Sequence, residues 1–255
     1  MKNTQNLHIM SGIECQILRQ RRKSIAILVS EGNVIIKAPL RTTDATIQKF
    51  VTQKRNWIIN KIDAYFVKFH RFKNILELKE LTLLGHHYPH FYADIKKITF
   101  DGLKFAIPNN LEPSLDGNEI ALQNQPSSGV TKFSPQKKLT AVVKKFYITF
   151  AANYLYRYLN QISAQLNIAY TQFSLTNAKT KWGSCDAKKH IRLNWRLVLL
   201  PQNLINYVII HELCHTYYLN HSQNYYKTLQ SYCPNYKHLK KELKEWNIII
   251  NYLSE

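Results

Sequence analysis

The sequence predicts an α+β fold, in which a β-rich amino-terminal region (residues 1–130) precedes a mainly helical region (residues 131–255). Two observations support this division. In the first region, short apolar runs typical of strands lie between turn-forming residues. In the second, apolar residues recur every three or four positions over long stretches, as they do in helices. Residues 108–135 have little periodicity and many turn-forming residues, so we expect the domain boundary there.

The amino-terminal region is predicted to begin with two strands within residues 12–38, joined by a turn at Glu31-Gly32-Asn33. One helix over residues 44–69 follows the potential capping residues Thr42, Thr43 and Asp44. Short strands are then expected around Leu83, Phe91, Ile98 and Phe105.

The carboxyl-terminal region is predicted to contain three helices and a strand pair. The first helix covers residues 139–166, and we assign its aromatic stripe (Phe146, Phe150, Tyr154, Tyr158) to the core. In residues 191–197, Ile, Leu and Trp alternate with Arg192, Asn194 and Arg196, which predicts a strand that pairs with the Trp182 segment through a turn at residues 186–189. A buried helix starts at Pro201 and a final helix starts at Tyr236.

The buried helix carries the motif His211-Glu212-Leu213-Cys214-His215. Two histidines four positions apart lie about 40° apart around a helix axis, so both imidazoles can reach one metal ion. Glu212 is rotated away from the two ligands and would approach a water molecule on the metal instead. This is the position that a general base requires.

A third histidine, His221, follows the motif. On a continuous helix it would lie roughly 280° around from His211, so it can be a ligand only if the helix ends and the chain turns back. We expect Asn220 to provide that turn, because Asn tolerates the left-handed conformation. Three histidines and one open position describe a catalytic zinc site. The alternative is a third ligand from Glu242 or Glu245 on the final helix.

The chain is strongly basic, with a formal net charge of +19. Residues 1–130 carry 18 Lys and Arg against 11 Asp and Glu, and residues 131–255 carry 17 against 5. Such a field attracts polyanions such as nucleotides, nucleic acids or acidic proteins. A lysine-rich composition is also typical of proteins from AT-rich genomes.

The four cysteines (Cys15, Cys185, Cys214, Cys233) form no Cys-x-x-Cys pair, which argues against a thiolate zinc site or a thioredoxin-type redox motif. Cys185 lies in the Trp-Gly-Ser-Cys segment and is a candidate to line the site. The sequence has no apolar run of membrane-spanning length, and its start lacks an apolar secretory segment. We therefore expect a cytoplasmic protein.

Four motifs occur in order within residues 137–246: Trp182-Gly183-Ser184-Cys185, Leu193-Asn194-Trp195-Arg196-Leu197, the histidine motif with Asn220-His221-Ser222, and Cys233-Pro234-Asn235-Tyr236. In these the chain resembles the YgjP-like zinc metallopeptidase family, which is related to the SprT-like proteases. The resemblance implies a zincin-like domain built from a long helix, a small sheet and a metal-binding helix. It also implies that His211, His215 and His221 bind zinc and that Glu212 is the catalytic acid and base.

Three functions are compatible with these features. In a zinc peptidase, Arg192, Asn194 or Arg196 would orient a peptide or protein substrate. In a metal-dependent nucleoside-triphosphate pyrophosphate hydrolase, Lys181, Arg192 and Arg196 would neutralise phosphates, although the sequence has no Walker-type loop. The third function is a basic nucleic-acid-binding protein with a zinc site. The chemistry of the motif and the resemblance favour the peptidase.

Overall fold

The computed structural model describes residues 4–10, 13–30, 32–112 and 137–253. These residues form two compact units: the first contains the described residues up to Phe72, and the second contains the described residues from Lys73 onwards. The predicted boundary near residue 130 and the predicted connection over residues 108–135 fall largely outside the described residues, and that boundary stays a prediction. Within the described part, the architecture is α+β, as predicted.

The first unit contains a four-stranded sheet of order β1-β2-β4-β3, in which β2 and β4 are parallel and the other pairs antiparallel. Its elements are β1 (Thr4–Met10), β2 (Ile13–Gln20), β3 (Ala26–Ser30), β4 (Asn33–Pro39), α1 (Asp44–Gln53) and α2 (Arg55–Leu76) as far as Phe72. Ile17 and Ile36 of the sheet form a buried core with Ile47 and Val51 of α1. Residues 12–38 thus hold three strands instead of two, and the predicted single helix is interrupted at Lys54.

The second unit begins with the hairpin β5 (Leu81–Leu83) and β6 (His86–Tyr88), followed by a sheet of order β7-β9-β8. The strands of that sheet are β7 (His90–Ala93), β8 (Thr99–Phe100) and β9 (Phe105–Pro108). The hairpin touches Pro201, which precedes the helix that carries His211 and Glu212. A Cβ atom on Gly85, at the hairpin turn, would lie 2.7 Å from Cα of Pro201.

The long helix α3 (Lys137–Leu166) crosses the core of the second unit. Its fully buried stripe includes Tyr147, Ala151 and Leu155. The aromatic stripe assigned to the core from sequence is only half-buried. Its rings stack four residues apart along the helix, for example Phe150 on Tyr154 with ring centroids 5.5 Å apart.

A second sheet, of order β10-β12-β11, follows α3. Its strands are β10 (Gln172–Thr176), β11 (Gly183–Cys185) and β12 (His190–Asn194); β11 and β12 are antiparallel, as predicted. The predicted strand ends early, because residues Trp195–Leu199 form a 3-10 helix. The Asn194 side chain caps this helix by accepting a hydrogen bond from the Arg196 backbone N–H.

Three helices complete the second unit: α4 (Gln202–Cys214), α5 (Gln223–Tyr232) and α6 (Tyr236–Glu245), the last continued by a 3-10 helix over Trp246–Asn251. Helices α4 and α6 match the predicted helices that begin at Pro201 and Tyr236. Among the described residues, no helix combines the length and apolar character needed to cross a membrane.

Candidate metal centre

Helix α4 carries the first two histidines and the glutamate into the interior of the second unit. It starts after Pro201 and is apolar on nearly all sides; Leu204, Ile205 and Leu213 are fully buried. A helix that is apolar all round is stable only when it is buried, which explains its position between α3, β11 and α6.

Helix α4 ends at His215, its C-cap residue. The following turn is closed by the backbone N–H groups of Tyr217 and Tyr218, which both donate to the carbonyl oxygen of Cys214 at 3.2 Å. The expectation that Asn220 turns the chain in a left-handed conformation is wrong, because Asn220 is not among the residues with positive φ. The helix ends five residues earlier, and His221 lies just before Ser222, the N-cap of α5.

The turn brings His221 back to the two histidines of α4. Nε2 of His221 lies 3.3 Å from Nε2 of His211, and one ring nitrogen from each of the three histidines lies within 4.8 Å of the others. Two nitrogen ligands of a tetrahedral zinc ion at 2.0–2.1 Å lie about 3.3 Å apart. The three imidazoles therefore form a cluster that could hold a metal ion.

Hydrogen bonds on the far side of two imidazoles fix their orientation. Nδ1 of His215 lies 2.8 Å from the backbone carbonyl oxygen of Tyr218, which can only accept, so this nitrogen carries the proton. The Tyr225 hydroxyl donates to the carbonyl oxygen of His211 at 3.3 Å and accepts from Nδ1 of His211 at 2.6 Å. In both rings Nε2 is left with a free lone pair, as a metal ligand requires.

The surroundings of His211 and His221 favour the neutral form of both imidazoles. Burial, followed by the neighbouring His215, His221 and Lys240, lowers the pKa of His211 to about 3. Burial is also the largest cause that lowers the pKa of His221. Neutral imidazoles bind metal ions, whereas protonated ones do not.

Glu212 lies beside the cluster with 5% of its surface exposed. Burial raises the pKa of its carboxyl group to about 8, and the positive charge of Lys181 opposes this shift. A Cβ atom on Gly183 would lie 2.7 Å from Oε1 of Glu212, so strand β11 passes directly against this carboxyl group.

The cluster and Glu212 open into a cleft of about 390 Å³. One wall is strand β11 with the two residues before it, and the others come from α4, the turn after it and α6. The lining residues are Lys181, Trp182, Gly183, Ser184, Cys185, Tyr207, Val208, His211, Glu212, His215, Leu219, His221 and Leu243. Among the described strands, β11 pairs with β12 alone and is therefore an edge strand of this sheet, and its three residues line the cleft.

Comparison with known protein families gives a match over residues 23–246 to the model described as the YgjP-like metallopeptidase domain. The chain belongs to the YgjP-like metallopeptidase family. No curated protein and no solved structure matches the chain significantly. Membership in a metallopeptidase family implies a metal ion, which agrees with the histidine cluster on α4 and its following turn.

The residues predicted to bind substrate in this YgjP-like protein are not among the residues that line the cleft. Asn194 and Arg196 are fully buried. The Asn194 side chain donates to the carbonyl oxygen of Ala178 at 2.8 Å, and the Arg196 guanidinium donates to that of Tyr252 at 2.6 Å. The structure thus gives both residues roles in stabilising the fold, in contrast to their predicted contact with substrate.

Arg192 lies at the surface of the same sheet, where its guanidinium donates to Asp186 at 2.9 Å. It supports the turn between β11 and β12 and does not line the cleft. Lys181, assigned to phosphate binding in the hydrolase hypothesis, does line the cleft.

The alternative ligands Glu242 and Glu245 do not belong to the cluster formed by the described histidines. Oε2 of Glu242 lies instead 3.5 Å from Nδ2 of Asn203 and 4.0 Å from Nδ1 of His238. Cys185 lines the cleft. Burial, and after it the nearby carboxylates of Glu212 and Asp186, raise the pKa of its thiol to about 11, so the thiol stays protonated at neutral pH.

Two residues of the site had no role in the sequence analysis, namely Tyr225 and Gly183. The Ser222-x-x-Tyr225 spacing marks the start of α5, where the Ser222 hydroxyl accepts from the Tyr225 N–H, but it does not indicate where the phenol points. Gly183 lies in the Trp-Gly-Ser-Cys motif, and a glycine inside a strand signals a close approach of another group.

Proposed function

We propose that this YgjP-like protein is a zinc-dependent peptidase in which His211, His215 and His221 bind the metal ion and Glu212 is the general base. One observation carries the proposal: three imidazole nitrogens and a buried carboxyl group meet in a cleft that is bordered by the free edge of a strand. Imidazole nitrogens at this spacing suit zinc, and three protein ligands leave a position open for chemistry.

The site's own residues support a hydrolytic mechanism. When bound, a zinc ion would polarise the scissile carbonyl group and lower the pKa of a water molecule. Glu212 is next to His211 and lines the same cleft. The charge of a bound zinc ion would offset the effect of burial and favour the ionised carboxylate, which would then accept a proton from the attacking water. It then delivers this proton to the departing amine nitrogen, which would otherwise leave as an unstable anion.

The border of the cleft favours a peptide as the substrate. Among the described strands, Gly183, Ser184 and Cys185 pair with β12 alone, and we infer that the backbone groups of their other edge pair with an extended chain. An extended peptide added to this edge would run past Glu212 and the histidines. Trp182, Val208 and Leu219 give the cleft apolar surface for its side chains.

Hydrolysis of nucleoside triphosphates is less well supported. Of the three cationic residues assigned to phosphate binding, Arg196 is buried and Arg192 pairs with Asp186, which leaves Lys181 in the cleft.

Contact of nucleic acid with the basic chain is a separate hypothesis that does not require Glu212. A cytoplasmic location also stays a prediction.

The test is Glu212→Gln, which removes the proton acceptor and no metal ligand. Purified wild-type and variant proteins are loaded with zinc and assayed in parallel on an unfolded protein, a peptide library and nucleoside triphosphates. We expect the variant to retain zinc and lose peptide hydrolysis by a factor of about 100 or more. The matched control is Glu242→Gln, whose carboxylate lies on α6 away from the cleft lining.

Two results would contradict the proposal. Unchanged peptide hydrolysis in Glu212→Gln excludes this residue as the base. Hydrolysis of nucleoside triphosphates, but not of peptides, by the wild-type protein would assign the site to phosphoanhydrides instead.

A further inference from the structure

Strand β11 and helix α4 approach each other most closely at Gly183 and Glu212. A Cβ atom built on Gly183 would lie 2.7 Å from both Cγ and Oε1 of Glu212 and 2.9 Å from Cδ. Real Cβ atoms almost never approach a heavy atom closer than 3.0 Å. Any residue larger than glycine at position 183 would therefore compete with Glu212 for the same space.

The backbone conformation of Gly183 does not itself require glycine. Gly32, Gly85 and Gly102 have positive φ angles, which L-residues rarely adopt, whereas Gly183 is not among these residues. An alanine could adopt the extended conformation of this strand without strain. Glycine is required at position 183 because the Glu212 side chain lies directly against it.

The backbones of β11 and α4 are both fixed by their neighbours, so neither can move easily to relieve a clash. Gly183 is paired with Leu193 of β12, which is fully buried, and the Asn194 N–H donates to the carbonyl oxygen of Trp182 at 2.8 Å. On the helix, Leu213 and Cys214 next to Glu212 are fully buried. The end of the Glu212 side chain is the movable part, because it rotates about single bonds.

We propose that Gly183 is a positioning residue for Glu212: the missing side chain forms the space that holds the carboxyl group beside the histidine cluster. This inference rests on the proposed function for its effect on catalysis, but the steric relation between the two residues stands by itself. Gly183 acts through Glu212 and contributes no reacting group.

The test is a double-mutant cycle on the zinc-loaded full-length protein with Gly183→Ala, Glu212→Ala and the double variant. In the wild-type background we expect Gly183→Ala to lower the melting temperature by roughly 3 °C or more. In the Glu212→Ala background the three clashing atoms are gone, so Gly183→Ala should cause no further loss. The control is Gln172→Ala, an exposed residue of β10 in the same sheet, which should have the same small effect in both backgrounds.

Activity provides the second measurement. Gly183→Ala should retain stoichiometric zinc and bind peptide with little change in KM, but its kcat should fall at least tenfold because Glu212 is displaced. If the wild-type protein hydrolyses no peptide, the proposed function fails, and the melting temperatures still decide whether Gly183 makes room for Glu212.

Equal losses of melting temperature in both backgrounds would overturn the proposal, because the cost would then not depend on Glu212. An unchanged melting temperature together with an unchanged kcat in Gly183→Ala would also overturn it. Should Gly183→Ala fail to fold, folding of the double variant supports the proposal, and failure of both contradicts it.

Discussion

The phenol oxygen of Tyr225 lies 2.6 Å from Nδ1 of His211 and 3.3 Å from the carbonyl oxygen of the same residue. Tyr225 thus holds the imidazole of His211, a proposed metal ligand, on the side of the ring opposite Nε2, and the phenol itself is fully buried. Removing the hydroxyl would leave the ring packed but free the imidazole to rotate.

We therefore expect Tyr225→Phe to weaken zinc binding about 10- to 100-fold, as the loss of such supporting hydrogen bonds typically does. Competition with a chromophoric chelator measures the change. Tyr232→Phe, which removes a hydroxyl at the end of the same helix, serves as the control. If both variants bind zinc with wild-type affinity, the hydrogen bond to His211 has no role in metal binding.

Single substitutions of the three histidines should each abolish stoichiometric zinc. His211→Ala, His215→Ala and His221→Ala remove one of the nitrogens that lie within 4.8 Å of one another. Elemental analysis of the purified proteins gives the zinc content. His238→Ala, with a side chain that is 78% exposed on α6, should keep it. Full zinc content in His221→Ala would show that the third ligand lies elsewhere.

The β5–β6 hairpin contacts the start of α4 through Gly85. Comparison with Gly102 separates the cost of this contact from the cost of a positive φ angle. Gly85 and Gly102 both have positive φ, but a Cβ atom on Gly102 meets nothing within 4 Å, whereas one on Gly85 would lie 2.7 Å from Cα of Pro201. We expect Gly102→Ala to lower the free energy of unfolding by about 1 kcal/mol and Gly85→Ala by about 3 kcal/mol. Urea unfolding measures both, and equal losses would contradict the contact.

The turn between β11 and β12 should make the free energy of unfolding depend on pH in the acidic range. Backbone N–H groups, that of His190 first, and the Arg192 guanidinium hold the pKa of Asp186 below its usual range. A carboxylate with a lowered pKa stabilises the fold at neutral pH, and this contribution is lost as the pH falls through the lowered pKa. Asp186→Ala should therefore be less stable than wild type at pH 7, and the difference should shrink below about pH 4. Urea unfolding of the metal-free proteins measures this difference, and a gap that does not change with pH would contradict it.

Helix α4 could be predicted from sequence because its signals are local. The four-residue spacing of His211 and His215 and the apolar periodicity after Pro201 both follow from one helix. The requirement that the chain turn before His221 also follows from helix geometry. The position of the turn could not be predicted, because backbone hydrogen bonds to Leu213 and Cys214 end the helix at His215, far ahead of Asn220.

Other features depend on contacts between distant segments. The alternation in residues 191–197 suits a strand, but the Asn194 side chain caps a 3-10 helix and carries Arg196 into the interior, where Tyr252 accepts its hydrogen bond. The contact of Tyr225 with His211 requires α5 to fold back on α4, and the contact of Gly183 with Glu212 requires a strand to meet that helix. The spacing of these residues along the chain predicts neither contact, because each depends on how two separate elements pack.

His215 and His221 are separated by five residues, and a metal ion bound to both would also affect this connection. A metal ion bound to both histidines would close this segment into a short loop and hold the start of α5, at a small entropic cost because the loop is short. Without the metal, the hydrogen bonds of the turn alone would hold the connection that contains the exposed Tyr217 and Leu219, and proteases would enter it more easily. Resistance of the bond after Tyr217 or Leu219 to added chymotrypsin should therefore rise with zinc occupancy, and would report metal loading without an assay of activity.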